Sequence, residues 1–272
     1  MSTYAIINGA FVAEEAAKIL VSDLAVQRGY GIFDYFRITA NRPGFLDDHL
    51  DRFYHSAAFM HLPVAEDRAQ LKQLITGLIE KNNLPDAGIR LTLTGGYSDN
   101  GYTPAQPNLL ITQSPFIFDA GAFHKGLRLI THDYQRQLPE VKTIDYLQAI
   151  YLQPQLKARG ADDVLYHQQG ALRECPRANF FIVTKQGEIL TPASNILKGI
   201  TRKKILAYTD LPVREADLQL QDLDDAAEAF ISSTTKEAMP VLQIDGKPVG
   251  DGRPGKITTE IFTRLLTARR HQ

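Results

Sequence analysis

Two helical periodicities set among short strand-like runs do most to narrow the fold of this chain. Residues 47–60 place Leu50, Phe53, Ala57 and Ala58 on one face of a helix. Residues 66–82 repeat the pattern with Leu71, Leu74, Ile75, Leu78 and Ile79, and Asn83-Leu84-Pro85-Asp86 ends the run. Strand-like segments at Tyr4–Ile7, 33–39, 89–94 and 108–114 flank both helices. Together they predict an α+β lobe over residues 1–115. The stretch 116–122, ending in Asp-Ala-Gly-Ala, reads as a linker, and alternating strands and helices beyond it predict a second lobe over 123–272. No internal repeat, low-complexity tract or charge block interrupts the chain. A crevice between two lobes is a common place for a small-molecule site.

Composition narrows the partners. The 272 residues carry 30 Lys+Arg against 31 Asp+Glu, a formal charge of −1, so no bulk basic excess points to nucleic acid or to an anionic membrane. Affinity for an anion must then come from local placement. No stretch approaches the ~20 apolar residues of a membrane span, and the amino terminus lacks the basic and apolar regions of a secretion signal. The one cysteine, Cys175, forms no intramolecular disulfide and suits a reducing compartment. These features predict a cytoplasmic protein.

Common cofactor signatures are missing. The Gly95-Gly96…Gly101 loop lacks the Lys-Ser/Thr that completes a P-loop, and no GxGxxG opens a helix. His49, His55 and His61 fall six apart, which scatters them around a helix, and no metal site is expected. A GxSxG nucleophile elbow is also absent.

Six segments in order carry the functional signal: RGYGIFDYFR (28–37), FLDDHLDRF (45–53), KTIDY (142–146), GALRECPRANFF (170–181), LKGITR (197–202) and ISSTTKEAMPV (231–241). In order and spacing they resemble the class IV aminotransferases, the group holding branched-chain aminotransferases, D-amino acid aminotransferases and aminodeoxychorismate lyases. The resemblance spans nearly the whole chain. It implies an α/β fold of type IV in two domains, a smaller N-terminal α/β sandwich and a larger C-terminal barrel-like domain. It also implies pyridoxal 5′-phosphate as cofactor and a homodimer.

The residue types suit that chemistry. The cofactor needs an amine for a Schiff base, and Lys142 at the head of KTIDY matches the family lysine. Tyr146, four residues on, would lie one helical turn away if a helix began at the lysine, its hydroxyl then reaching the cofactor's phenolic oxygen. A carboxylate must face the pyridine nitrogen, and Glu174 matches the family glutamate, with Asn179 fitting the pattern after it. The phosphate needs amides, hydroxyls and a cation. Gly199, Ile200 and Thr201 offer amides at a helix start, Ser233 and Thr234 offer hydroxyls, and Leu197 would pack on the cofactor ring. Arg52 matches the family arginine that pairs with phosphate, the alternative being a helical-spacing partner for Asp48.

Substrate preference is less plainly written. The loop GGYSDNGYTP puts Asn100 and Tyr102 near the places where familiar D-amino acid aminotransferases carry an arginine and a histidine. Aminodeoxychorismate lyases resemble its GYTP part but typically hold an arginine at the place of Asn100. Of the tyrosine and arginine that branched-chain enzymes carry on the strand at 89–94, the chain keeps Arg90 and has Gly88 for the tyrosine. ISSTTKE looks more like the D-amino acid group. Arg28 falls where relatives hold an aromatic residue on a segment reaching the neighbouring subunit's site, and a guanidinium there invites a carboxylate. Its alternative is a surface arginine paired with Asp23 or Asp34. Phe33 and Thr235 complete the substrate-facing set. The reading is a transaminase for a D-amino acid and a 2-oxo acid, 2-oxoglutarate or pyruvate. The alternatives are an L-branched-chain aminotransferase, an aminodeoxychorismate lyase, and an inactive protein that binds the cofactor.

Overall fold

Residues 3–270 are described by a computed structural model. The first compact unit runs through Ile117 and also contains Val141–Asp145, and the second comprises Phe118–Glu140 and the chain from Tyr146 onward. The first unit holds β1 (Tyr4–Ile7), β2 (Ala10–Ala13), α1 (Leu24–Arg28), β3 (Gly31–Thr39), β4 (Arg42–Pro43), α2 (Leu46–Phe59), α3 (Arg68–Asn82), β5 (Ala87–Thr94) and β6 (Leu109–Pro115). Its antiparallel sheet has the order β2-β1-β6-β5-β3-β4.

Alternation along the strands decides which face is covered. Ile32, Phe36 and Ile38 of β3 and Ile89, Leu91 and Leu93 of β5 join Leu50 and Phe53 of α2 and Leu71, Ile75 and Leu78 of α3 in one core. The intervening residues Phe33, Tyr35, Arg37, Gly88 and Arg90 therefore belong to the opposite face, which is the face that concerns function. Ala58, expected on the apolar stripe of α2, is exposed, and Ser56 is buried instead. Helix α3 starts at Arg68 and not at Glu66, because Asp67 accepts from the Gln70 amide and Gln70 returns a bond to the Asp67 amide.

The second unit contains α4 (Ala122–Lys125), β7 (Leu127–Asp133), α5 (Leu147–Tyr151), α6 (Gln153–Arg159), β8 (Asp163–Gln168), β9 (Ala171–Leu172), β10 (Glu174–Cys175) and β11 (Ala178–Thr184). It continues with β12 (Ile189–Pro192), α7 (Ile200–Leu206), β13 (Val213–Ala216), β14 (Ala226–Ser233), β15 (Glu237–Ile244), β16 (Lys247–Pro248) and α8 (Lys256–Arg270). A ten-stranded mixed sheet runs β13-β12-β11-β14-β15-β7-β8-β9, with β10 on β11 and β16 on β15. One apolar cluster gathers Phe180, Ile182, Ile231 and Val241, and another sets Phe181 and Phe230 against Ile261 and Leu265 of α8.

Candidate functional site

Lys142 is held by backbone, not by a helix. Its carbonyl accepts from the Phe33 amide at 2.9 Å, and the Ile144 amide donates to Gly31 O at 3.1 Å, so the segment lies along the start of β3. Val141 anchors it in the core, and the Lys142 amide reaches Ser56 Oγ at 3.5 Å. The Lys142 Nζ stands 4.5 Å from the Phe33 ring centroid, and the Arg90 guanidinium carbon stands 4.3 Å from the same ring. An amine and a guanidinium thus share one buried aromatic ring on the face of the first sheet opposite its helices.

On the covered face, Asp34 is fully buried between two helix residues. It accepts from Arg52 Nε and Nη2, both at 2.8 Å, and its Oδ1 lies 2.7 Å from His49 Nδ1. Burial pushes the Asp34 carboxyl up, but Arg52 and His49 outweigh it and hold the group well below the ordinary carboxylate range. Arg52 is therefore paired with Asp34 on β3, a partner that helical spacing does not suggest. This Asp34–His49–Arg52 group escapes a reading of the sequence, because the aspartate reaches the helix only through the pleat of β3. The surface pairing of Arg28 is overturned as well. Asp23 accepts from the Ala25 amide, Thr94 Oγ1 and Asn108 Nδ2, while Arg28 is exposed and donates to Gln27 O at 3.0 Å.

In the second unit, Glu174 is buried and faces Asn179 across the β10–β11 pair. The Leu197 amide donates to both Glu174 oxygens at 3.1 Å, and Arg136 Nε forms an ion pair with Oε1 at 3.2 Å. Asn179 Nδ2 donates to Leu197 O at 2.6 Å and lies 3.4 Å from Glu174 Oε2, while its Oδ1 accepts from the Gly199 amide at 3.2 Å. Asn179 so ties the carboxylate to the turn that opens α7. Gly199 caps that helix, Ile200 and Thr201 form its first turn, and Arg202 pins it through Glu215 at 2.7 Å and Pro192 O at 2.8 Å. Ser233 ends β14 and Thr234 and Thr235 open the turn after it, with the Ser233 and Thr235 hydroxyls 3.4 Å apart.

Tyr146 departs from expectation. It precedes α5 with φ −128° and ψ 21°, and the helix begins only at Leu147, so no helical turn relates it to Lys142. Residues 141–145 are instead drawn onto β3 by the two backbone bonds described above. Sequence reasoning also passed over Arg136, whose partner lies 38 positions away, and Tyr35, whose place is set by the neighbouring strand.

The residue set suits pyridoxal phosphate. A buried carboxylate braced by an amide and a guanidinium can face a pyridinium, and position 199 has room only for glycine, because a β-carbon there would fall 2.2 Å from Asn179 Oδ1, the atom that ties the turn to the carboxylate. Residues 31–244 match the family model for amino-transferase class IV. The chain is a class IV aminotransferase. It is 33% identical to a putative branched-chain-amino-acid aminotransferase of Methanocaldococcus jannaschii, over 97% of this chain and 95% of that one. It is 31% identical to a D-alanine aminotransferase of Listeria monocytogenes, over 94% of this chain and 92% of the other. Its fold superposes with a TM-score of 0.90 on the T.th. branched-chain amino acid aminotransferase solved with pyridoxamine 5′-phosphate, at 26% identity over 100% of this chain and 96% of that one. This class IV aminotransferase is a pyridoxal-phosphate-dependent enzyme with the mixed α/β fold of type IV, acting on amino and 2-oxo acids. Among the described residues, no helix is long and apolar enough to cross a membrane.

Proposed function

We propose that this aminotransferase moves an amino group between a D-amino acid and a 2-oxo acid, with 2-oxoglutarate or pyruvate as acceptor. The observation that carries the transamination reading is the shared platform, with Lys142 and Arg90 both against the Phe33 ring. An amino acid presents an amine and a carboxylate on one carbon, and the Phe33 ring gathers a proton-transferring amine and a carboxylate-binding cation around one side chain. Pyridoxal phosphate, when bound, supplies an electron sink for charge released at the α-carbon. Lys142 holds the cofactor and moves the proton. Glu174 faces the ring nitrogen and is braced by its ion pair with Arg136. Arg52, Gly199, Ile200, Thr201, Ser233 and Thr234 bind the phosphate, Leu197 packs on the ring, and Tyr146 serves the phenolic oxygen. Arg28, Arg90, Phe33 and Thr235 face the substrate.

Two observations support the D preference: the likeness to D-alanine aminotransferases across nearly the whole chain, and a hydroxyl-rich Ser-Ser-Thr-Thr turn at 232–235. The likeness to branched-chain enzymes, with Arg90 retained, favours an L-branched-chain aminotransferase as the second reading.

The test follows the cofactor's visible absorption as single D- and L-amino acids are added to the purified holoenzyme. D-alanine and D-glutamate are expected to discharge the colour faster than L-leucine. Faster discharge by L-leucine than by both D-amino acids would promote the second reading. Borohydride is expected to fix the cofactor on Lys142, and label on another lysine would refute that assignment.

A further inference from the structure

Two donors on the face of the first sheet opposite its helices have no hydrogen-bond acceptor among the described residues. Arg90 contacts the Phe33 ring, and among the described residues it has no carboxylate partner. Tyr35, directly opposite Arg90 in the β3–β5 register, is half-buried, and its hydroxyl makes no hydrogen bond to any described residue. Both belong to the strand positions whose side chains leave the helix-covered core.

The place of the Tyr35 hydroxyl is built by its neighbour. A β-carbon at Gly88 would fall 1.9 Å from the hydroxyl oxygen, 2.4 Å from Cζ and 2.6 Å from Cε2. Only glycine lets the ring lie across β5 at that point, so the end of the ring occupies the space a side chain at position 88 would take. Phenylalanine would fill the same space as well. What tyrosine adds is a donor next to Arg90, and it adds it where burial raises the phenol's pKa while Arg37 and Arg90 pull it down. The hydroxyl stays protonated at neutral pH and can donate.

We propose that the Tyr35 hydroxyl, seated on Gly88, is a specificity-determining group that grips the substrate α-carboxylate together with Arg90. The α-carboxylate is the acceptor because Arg90 shares its aromatic platform with Lys142, whose amine works at the α-carbon. A carboxylate between a guanidinium and a phenol is paired and hydrogen-bonded at once, which is what lets a charge leave water. Amines without that carboxylate leave both donors unsatisfied and bind poorly. This rests on the aminotransferase reading of Lys142 but not on the choice between D- and L-substrates.

The experiment compares wild-type and Tyr35→Phe holoenzymes in two readouts: steady-state turnover of D-alanine and D-glutamate, and calorimetric binding of propionate and glutarate, acids that lack the amine. Tyr35→Phe is expected to raise KM for both amino acids about tenfold and to weaken both acids by the same factor, with the melting temperature kept because the ring still packs. Gly88→Ala, whose β-carbon must displace the ring, is expected to give the same shifts with the hydroxyl still in the chain. Unchanged KM and unchanged propionate affinity in Tyr35→Phe would overturn the proposal, as would a shift confined to D-glutamate and glutarate, which would move the hydroxyl to the distal carboxylate. A wild type that prefers L-amino acids defeats the D reading alone, since the same ratios are then read with L-alanine and L-glutamate. A wild type that transaminates nothing still yields the propionate ratio.

Discussion

Asp34 shows how much a single buried carboxylate organises. Arg52 and His49 both turn inward to it, and the arginine proposed for the phosphate is thereby fixed on two of its nitrogens. Replacing Asp34 with Asn strips the charge from a site 1% exposed and leaves a guanidinium facing an amide. The expected loss at neutral pH is about 3 kcal/mol, the usual result of removing one partner of a buried pair. The folded pKa of Asp34 lies below the unfolded value of about 3.9. Its contribution is therefore complete above about pH 5 and lost as the pH falls below 4 toward the folded value. Urea unfolding of the two proteins across pH 6 to 2.5 should show a shallower acid slope in Asp34→Asn, and parallel slopes would remove Asp34 from the linkage. None of this is legible in the sequence, where helical spacing offers Arg52 the partner Asp48 and Asp34 lies 18 positions away. Lys142, Glu174 and Arg90 stand out in the sequence as candidates, because each belongs to a motif that keeps its residues close together along the chain.

At the scale of elements, helix starts shift from the sequence reading both where a local cap sets them, as Asp67 does for α3, and where tertiary bonds intervene. Gly199 begins α7 as its turn sequence implies. Tyr146 does not continue a helix from Lys142, since β3 captures residues 141–145 first, and nothing local announces that capture. The α7 start can be broken by one methyl group. Gly199→Ala places a β-carbon 2.2 Å from Asn179 Oδ1, and Asn179 is the bridge between Glu174, Leu197 and Gly199. Overpacking of this kind destabilises by about 1–3 kcal/mol. The variant is expected to melt lower and to lose pyridoxal phosphate faster on dialysis. Adding Asn179→Ala removes the clash, so the double variant should be more stable than the sum of the single losses implies. Additive losses would show that the two residues act separately.

For the molecule as a whole, the question is whether one chain suffices. Arg28 is exposed and lacks an acidic partner among the described residues, and exposed apolar residues precede it in sequence: Leu20, Val21 and Val26. Leu147, Ile150 and Tyr151 expose a second apolar set on α5. Apolar surface of this sort marks contact with another surface, and a second copy of the chain would bring its own Arg28 along with it. The proposed homodimer, with Arg28 contributed across the interface, makes a prediction that a self-contained chain does not. An Arg28→Ala chain and a Lys142→Ala chain are each expected to be nearly inactive. Mixed and allowed to exchange, they form heterodimers in which one site joins an intact Lys142 to an incoming intact Arg28, while the other site lacks both. A statistical mixture should then recover about a quarter of wild-type activity, because half the dimers are mixed and one site in each of those is whole. Native mass spectrometry on the same samples establishes the exchange. Full exchange without recovered activity would place Arg28 in its own chain's service or outside the reaction, and would leave Arg90 and Tyr35 to hold the substrate's carboxylate.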